Sequence, residues 1–174
     1  MRARRYGTIL ISLLAPVVAA VAFAAVEIEK FHRVDDRVST GAQPTVAQIA
    51  GLAGEGFRTV INLREPVEHE AAAEEAAVRD LGMDYVNIPV CTTDPKDAQA
   101  DAFLKITADP RIYPVFIHCG TANRVAAFWM IRRIVVEGWS PEDAEKEARE
   151  IGLKSAVMRD FALDYARRHS NKAS

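Results

Sequence analysis

The sequence predicts an α/β fold, with a mainly parallel central sheet flanked by helices. Three observations predict it. Short, nearly unbroken apolar runs recur at Thr59–Leu63, Met83–Val90 and Pro114–His118, as expected of strands buried on both faces. Helix-length segments with recognisable start and stop residues separate them, so successive strands connect by crossovers and run parallel. At 174 residues and 49% hydrophobic content, the chain can fill one core and is short for two ordinary domains.

The N-terminus stands apart. Met1–Arg5 carries Arg2, Arg4 and Arg5, the next 21 residues are uncharged, and Ala22-Phe-Ala24 offers a small-x-small cleavage site. Residues 1–25 therefore read as a signal peptide, cut near Ala24 or Ala25, or as an uncleaved N-terminal membrane anchor. Pro16 and the Ala-rich end favour cleavage. The folded domain then spans 26–170 and is exported: periplasmic or secreted, or held at the membrane by that segment.

Within the domain, Phe31–Thr40 predicts two short strands about Asp35-Asp36. Thr45 caps a helix running to Glu55 and ended by Gly56. Thr59–Leu63 is the first core strand. Pro66 opens a Glu/Ala-rich helix through Leu81, stopped by Gly82, and Met83–Val90 is the next strand. Asp97 caps a helix to Ala108, and Pro114–His118 is the central strand. Val125–Glu137 is helical up to Gly138. Ser140-Pro141-Glu142-Asp143 combines a cap, a first-turn proline and early acids, starting a helix to Ile151 before Gly152. Ala156–Arg168 is the last helix, and Ser170–Ser174 reads as a frayed tail.

The formal net charge is −2 and becomes more acidic without the N-terminal arginines. No Lys/Arg run stands out, which argues against nucleic acid as a partner. Arg132-Arg133 and Arg167-Arg168 fall on predicted helices and read as solvated faces. Phe128, Trp129, Met130 and Ile131 read as core, and Trp139 as packing. His32, His69 and His169 have no metal-ligand spacing and read as surface residues.

The chemistry gathers in Val115–Arg124. An apolar strand delivers His118 and Cys119 into the turn Gly120-Thr121-Ala122-Asn123, after which Arg124 opens an apolar helix. Strand, small-residue loop and helix start form a backbone cradle for an anion, because free N–H groups and the helix dipole point into the loop. Positive potential there favours the thiolate of Cys119, the reactive form. A cation at a helix start opposes the dipole unless an anion lies between, and Arg124 offers a planar fork suited to phosphate oxygens. Cys119 is the candidate nucleophile, Arg124 the phosphate clamp, and the amides of Gly120, Thr121, Ala122, Asn123 and Arg124 the rest of the phosphate-binding loop. His118 reads as a supporting residue that hydrogen-bonds the loop. No metal or cofactor is needed.

This segment resembles the phosphate loop of cysteine-dependent phosphatases of the protein tyrosine and dual-specificity superfamily. The four-residue spacing and the end Asn123-Arg124-Val125 are similar to a bacterial branch, the phosphatase-like domain found beside β-lactamase-like hydrolases. Gly41-Ala-Gln-Pro44, the run Gly56–Arg64 and Glu137–Ala144 resemble the same branch, so the likeness covers roughly residues 30 to 155. It implies a phosphatase-like three-layer sandwich that hydrolyses phosphomonoesters, of phosphotyrosine or phosphoserine type or on small phosphorylated molecules, through a cysteinyl-phosphate intermediate.

The resemblance also implies a general acid on the loop after Tyr85–Val90. Asp94, Asp97 and Asp101 lie there. Asp94 is favoured because it precedes Pro95; Asp97 reads as a helix cap and Asp101 as a helix-surface residue. Arg64, Glu65 and Asn123 are candidates for the rim. Relatives trap the nucleophile with a second cysteine, which makes Cys91 a possible redox partner; a free, semi-buried thiol is the alternative. Two positions depart from the branch: Ala122 stands where glycine is common, and Val125 where a hydroxyl is common. Two other functions stay open. One is a rhodanese-like sulfurtransferase, although Gly138-Trp-Ser-Pro leads into further helix where that fold ends in a strand. The other is a catalytically weak, phosphate-binding relative.

Overall fold

The computed structural model describes residues 27–68 and 71–170. The predicted signal or anchor segment, His69 and the last four residues lie outside it. The strands are β1 (His32–Arg33), β2 (Val38–Gly41), β3 (Thr59–Asn62), β4 (Asp84–Asn87) and β5 (Val115–His118). They form one sheet in the order β1-β2-β5-β3-β4. β1 is antiparallel to β2, and all the other pairs are parallel.

Burial explains the order. Every residue of β2, β3 and β5 is buried, as befits strands covered on both faces, and β5 lies in the middle. Alternate side chains of β5 enter different cores. Phe116 packs with Ile49, Leu52, Phe57 and Val78 under α1 (Val46–Gly54) and α2 (Ala71–Asp80). Val115 and Ile117 pack with Phe103, Phe128, Met158 and Tyr165. Those come from α3 (Asp97–Thr107), α4 (Asn123–Val135) and α6 (Ala156–His169); α5 (Pro141–Ile151) packs against α4. The helices start where local chemistry supplies caps. Thr45 accepts from the Gln48 amide and Gln48 reaches back to Thr45 N, while Ser140 accepts from Asp143 N.

Three expectations need correction. The helix expected from Pro66 to Leu81 is broken: Pro66–Glu68 is a separate 3-10 turn and α2 begins only at Ala71. Glu68 Oε1 accepts from Glu65 N at 2.9 Å, and the same carboxylate reaches across to Arg124, which holds the turn apart from the helix. Asp97 is not the cap of α3. Lys96 holds that position, and Asp97 binds Arg168 in the last turn of α6 through both oxygens, at 2.5 and 2.9 Å. Arg133 is not on a solvated face: it is buried, paired with Glu147 at 2.6 Å and lies over Trp129 and Trp139. Asp101 is exposed on α3, as expected of a helix-surface residue, and its carboxylate accepts from Tyr165 Oη.

Candidate active site

The site grows from the C-terminal end of β5, where the crevice of a parallel sheet lies. In register, His118 sits between Gly41 of β2 and Asn62 of β3, so Cys119 leaves the sheet between its two buried neighbours. His118 O accepts from Leu63 N at 2.9 Å, fixing the strand up to the residue before Cys119. Cys119 is 1% exposed.

The loop then turns through Ala122, which has φ 65° and ψ −3° and is the N-cap of α4. This is the left-handed region, where glycine is the easy occupant. The surroundings hold it there. Lys30 Nζ donates to Thr121 O at 3.1 Å, and Ala42 and Thr121 form an isolated antiparallel bridge. Asn123 Oδ1 accepts from Lys154 N at 2.8 Å and Ser155 N at 3.1 Å, so its side chain ties the loop to the α5–α6 connection rather than lining the rim. Gly152 leaves room for Ala122: a methyl at Gly152 would come within 3.2 Å of the Ala122 Cβ.

Arg124, in the first turn of α4, is only 4% exposed and points back over the loop. A Cβ placed on Gly120 would lie 3.6 Å from Arg124 Nη2 and 3.9 Å from Arg64 Nε, so two guanidinium groups converge above that glycine. Burial works against the Arg124 charge, but hydrogen bonding to Glu68 and the nearness of Cys119 outweigh it and hold its pKa above the usual value. Nη1 also donates to Val90 O at 3.0 Å.

Glu68 was not foreseen. Its carboxylate meets Arg124 through both oxygens, at 2.5 and 2.8 Å, and lies 3.7 Å from Arg64 Nε. The Arg124 hydrogen bonds pull its pKa down to about 2. The only local signal is its place four residues after Arg64; the pairing with Arg124, 56 positions away, has none. Arg64 is held by its backbone N on Asn62 Oδ1 and by Nη1 on Gln43 Oε1, each at 2.8 Å.

The candidate acid is paired elsewhere. Asp94 is on the loop beyond Val90, its side chain 67% exposed and paired with Lys96. The Cys91 and Cys119 thiols are both free, and Cys91 is half-buried. A hydrogen bond with Thr93 lowers the Cys91 pKa. His118 is fully buried and contacts Glu74 of α2, not the loop amides. Among the described residues no three His, Cys, Asp or Glu side chains gather as a metal set.

Two hollows lie near these elements. One, of about 240 Å³, opens beside Arg64 and is lined by Gln43, Pro44, Ile49 and Glu74. The other, of about 690 Å³ and lined by Ile134, Trp139 and Leu163, is at the far end of α4. The helix rise puts that hollow roughly 20 Å from Cys119, so it has no part in the loop chemistry.

A cysteine and an arginine closing an anion loop at the end of a central parallel strand fit the superfamily of protein tyrosine and dual-specificity phosphatases, and the family match places the chain there. Within it, the chain belongs to the family described as DSP-PTPase phosphatase fused to NAD+ kinase, whose model matches residues 10–159. It is 31% identical over 106 residues to a β-lactamase hydrolase-like protein of Agrobacterium fabrum (strain C58), covering 59% of this chain and 24% of that protein. A similar protein of Xylella fastidiosa (strain Temecula1) is 28% identical over 110 residues, covering 61% and 25%. The chain thus spans about a quarter of the length of these relatives.

Solved structures share the fold. The catalytic domain of the PP-IP phosphatase SIW14 of S. cerevisiae superposes with a TM-score of 0.71 at 16% identity, covering 86% of this chain and 95% of that one. TpbA of P. aeruginosa, solved with pTyr, gives 0.62 at 24% identity, covering 79% and 83%.

Proposed function

We propose that the protein hydrolyses phosphomonoesters through a cysteinyl-phosphate intermediate. The observation that carries the reading is the convergence of buried Cys119 and Arg124 on one anion loop at the start of α4. In the first step Cys119 Sγ attacks phosphorus while the ester oxygen leaves with a proton from a carboxylic acid, for which Asp94 is the candidate. In the second, water attacks the phosphocysteine, gives its proton to the same carboxylate, and the thiolate departs with inorganic phosphate as product. The loop amides and Arg124 hold the phosphoryl oxygens throughout, where charge is greatest in the transition state. Glu68 either shares the Arg124 fork with the substrate or yields it.

The substrate is a phosphorylated protein side chain or a small phosphorylated molecule. The likeness to a PP-IP phosphatase and to a protein that takes pTyr supports both classes, and two converging guanidinium groups suit an oxyanion-rich ligand. The basic, then apolar N-terminal segment supports work outside the cytoplasm, in free or anchored form.

The test is hydrolysis of a generic aryl phosphate by the leaderless protein, with and without reductant, beside Cys119→Ser. Loss of turnover by about a thousandfold or more in the variant is the expected result. Dependence on reductant would make Cys91 the partner of the nucleophile. A reduced wild type inactive from acidic to neutral pH overturns the reading and leaves sulfur transfer or simple phosphate binding.

A further inference from the structure

Behind the nucleophile loop lies a buried polar network that the reaction as written does not use. Glu74, in the first turn of α2, is 5% exposed, although carboxylates are rarely buried without partners. Its Oε1 is 2.7 Å from Nε2 of His118, the residue before Cys119. The contact is close without being an aligned hydrogen bond. Its Oε2 accepts from Gln43 Nε2 at 2.9 Å and from Asn62 Nδ2 at 3.1 Å. The same two amides face Arg64 with their other ends. Gln43 Oε1 accepts from Arg64 Nη1, and Asn62 Oδ1 from Arg64 N.

The ends of this network dictate its sense. An ionised carboxylate only accepts and a guanidinium only donates, so an amide bridging them must turn its NH2 to the one and its oxygen to the other. Both amides do so. Their orientation is therefore set from both ends, and Gln43 joins Glu74 to the Arg64 fork in two links. A glutamine at 74 can donate as well as accept. Gln43 could then flip and set its NH2 against the Arg64 guanidinium, and Asn62 against the Arg64 backbone N–H, leaving a donor facing a donor.

We propose that Glu74 is a positioning residue for the anion site. Through Gln43 and Asn62 it holds Arg64 over Gly120. The proposal rests on the phosphate-site reading above and assigns Arg64 as its second cation.

The test uses the full chain in a Cys91→Ser background, so that Cys119 is the sole thiol. Iodoacetamide alkylation of Cys119 is followed at rising inorganic phosphate, and the half-protecting concentration is read. Glu74→Gln should raise that concentration about tenfold, the scale of losing one charged hydrogen bond. Gln43→Met, which removes the link from Glu74 to the Arg64 guanidinium, should raise it similarly. Arg64→Ala combined with Glu74→Gln should be no worse than Arg64→Ala alone, because both act at one point.

Val78→Ala truncates a fully buried side chain one turn further along α2. It should lower the melting temperature without moving the protection, which separates positioning from general loosening. A folded Glu74→Gln with wild-type protection overturns the proposal, as does additivity with Arg64→Ala. Should Glu74→Gln fail to fold, unchanged protection in Gln43→Met overturns it equally. Failure of phosphate to protect the wild type strikes the phosphate-site reading itself and takes the proposal with it.

Discussion

Ala122 shows how much a single residue costs the loop. Its left-handed backbone disfavours any Cβ, and the neighbours that enforce it are Lys30, Asn123 and Gly152. Ala122→Gly should stabilise the fold by up to about 1 kcal/mol in urea unfolding, less the small loss of a buried methyl. Gly152→Ala should do the reverse, by about 1 kcal/mol or more, because φ is 141° and the new methyl meets Ala122. Arg124→Lys keeps the charge but loses the planar fork, so kcat/KM on an aryl phosphate should drop about a hundredfold. Asp94→Asn should slow alkyl phosphates strongly and spare aryl esters with good leaving groups. Equal losses on both would move the acid role to another carboxylate. Glu68 carries a pH signature. Its folded pKa of about 2 lies below the ordinary 4.5, so the stability it adds is full above pH 4.5 and is lost as pH falls toward 2. The gap in unfolding free energy between wild type and Glu68→Gln should therefore close over that window.

Among the elements, α4 joins the chemistry to the core. Its first turn carries Arg124, and its middle buries Phe128, Trp129, Met130 and Ile131. Phe128 stands edge-on to Phe103 with centroids 5.6 Å apart. Phe128→Ala should cost about 3–5 kcal/mol in urea unfolding, by lost burial and the cavity left behind. These apolar positions, and caps such as Thr45 and Ser140, were legible because a periodic stripe and a capping side chain are written within a few residues of each other. The broken start of α2 was not. Glu68 is an ordinary helix former locally, and what detains it is a guanidinium 56 positions on. Arg133 was misread for the same reason, since Glu147 and Trp139 come from outside its own helix.

For the whole molecule, topology converts local signals into a site. A strand order that puts β5 between β2 and β3 brings Gln43, Asn62, Arg64 and Cys119 to one edge, although they are spread over some 76 positions of sequence. The sequence by itself determined the α/β class, the helix and strand succession, and the loop from His118 to Arg124, because each depends on neighbours a few residues apart. The tertiary structure decided the rest. It put Glu68 on Arg124, sent the Asn123 side chain to the α5–α6 connection, left Asp94 exposed beside Lys96, and buried Glu74 between His118 and the two amides. Those outcomes depend on which distant groups are left to share a low-dielectric space, where every carboxylate must find donors, and no local pattern encodes that distribution.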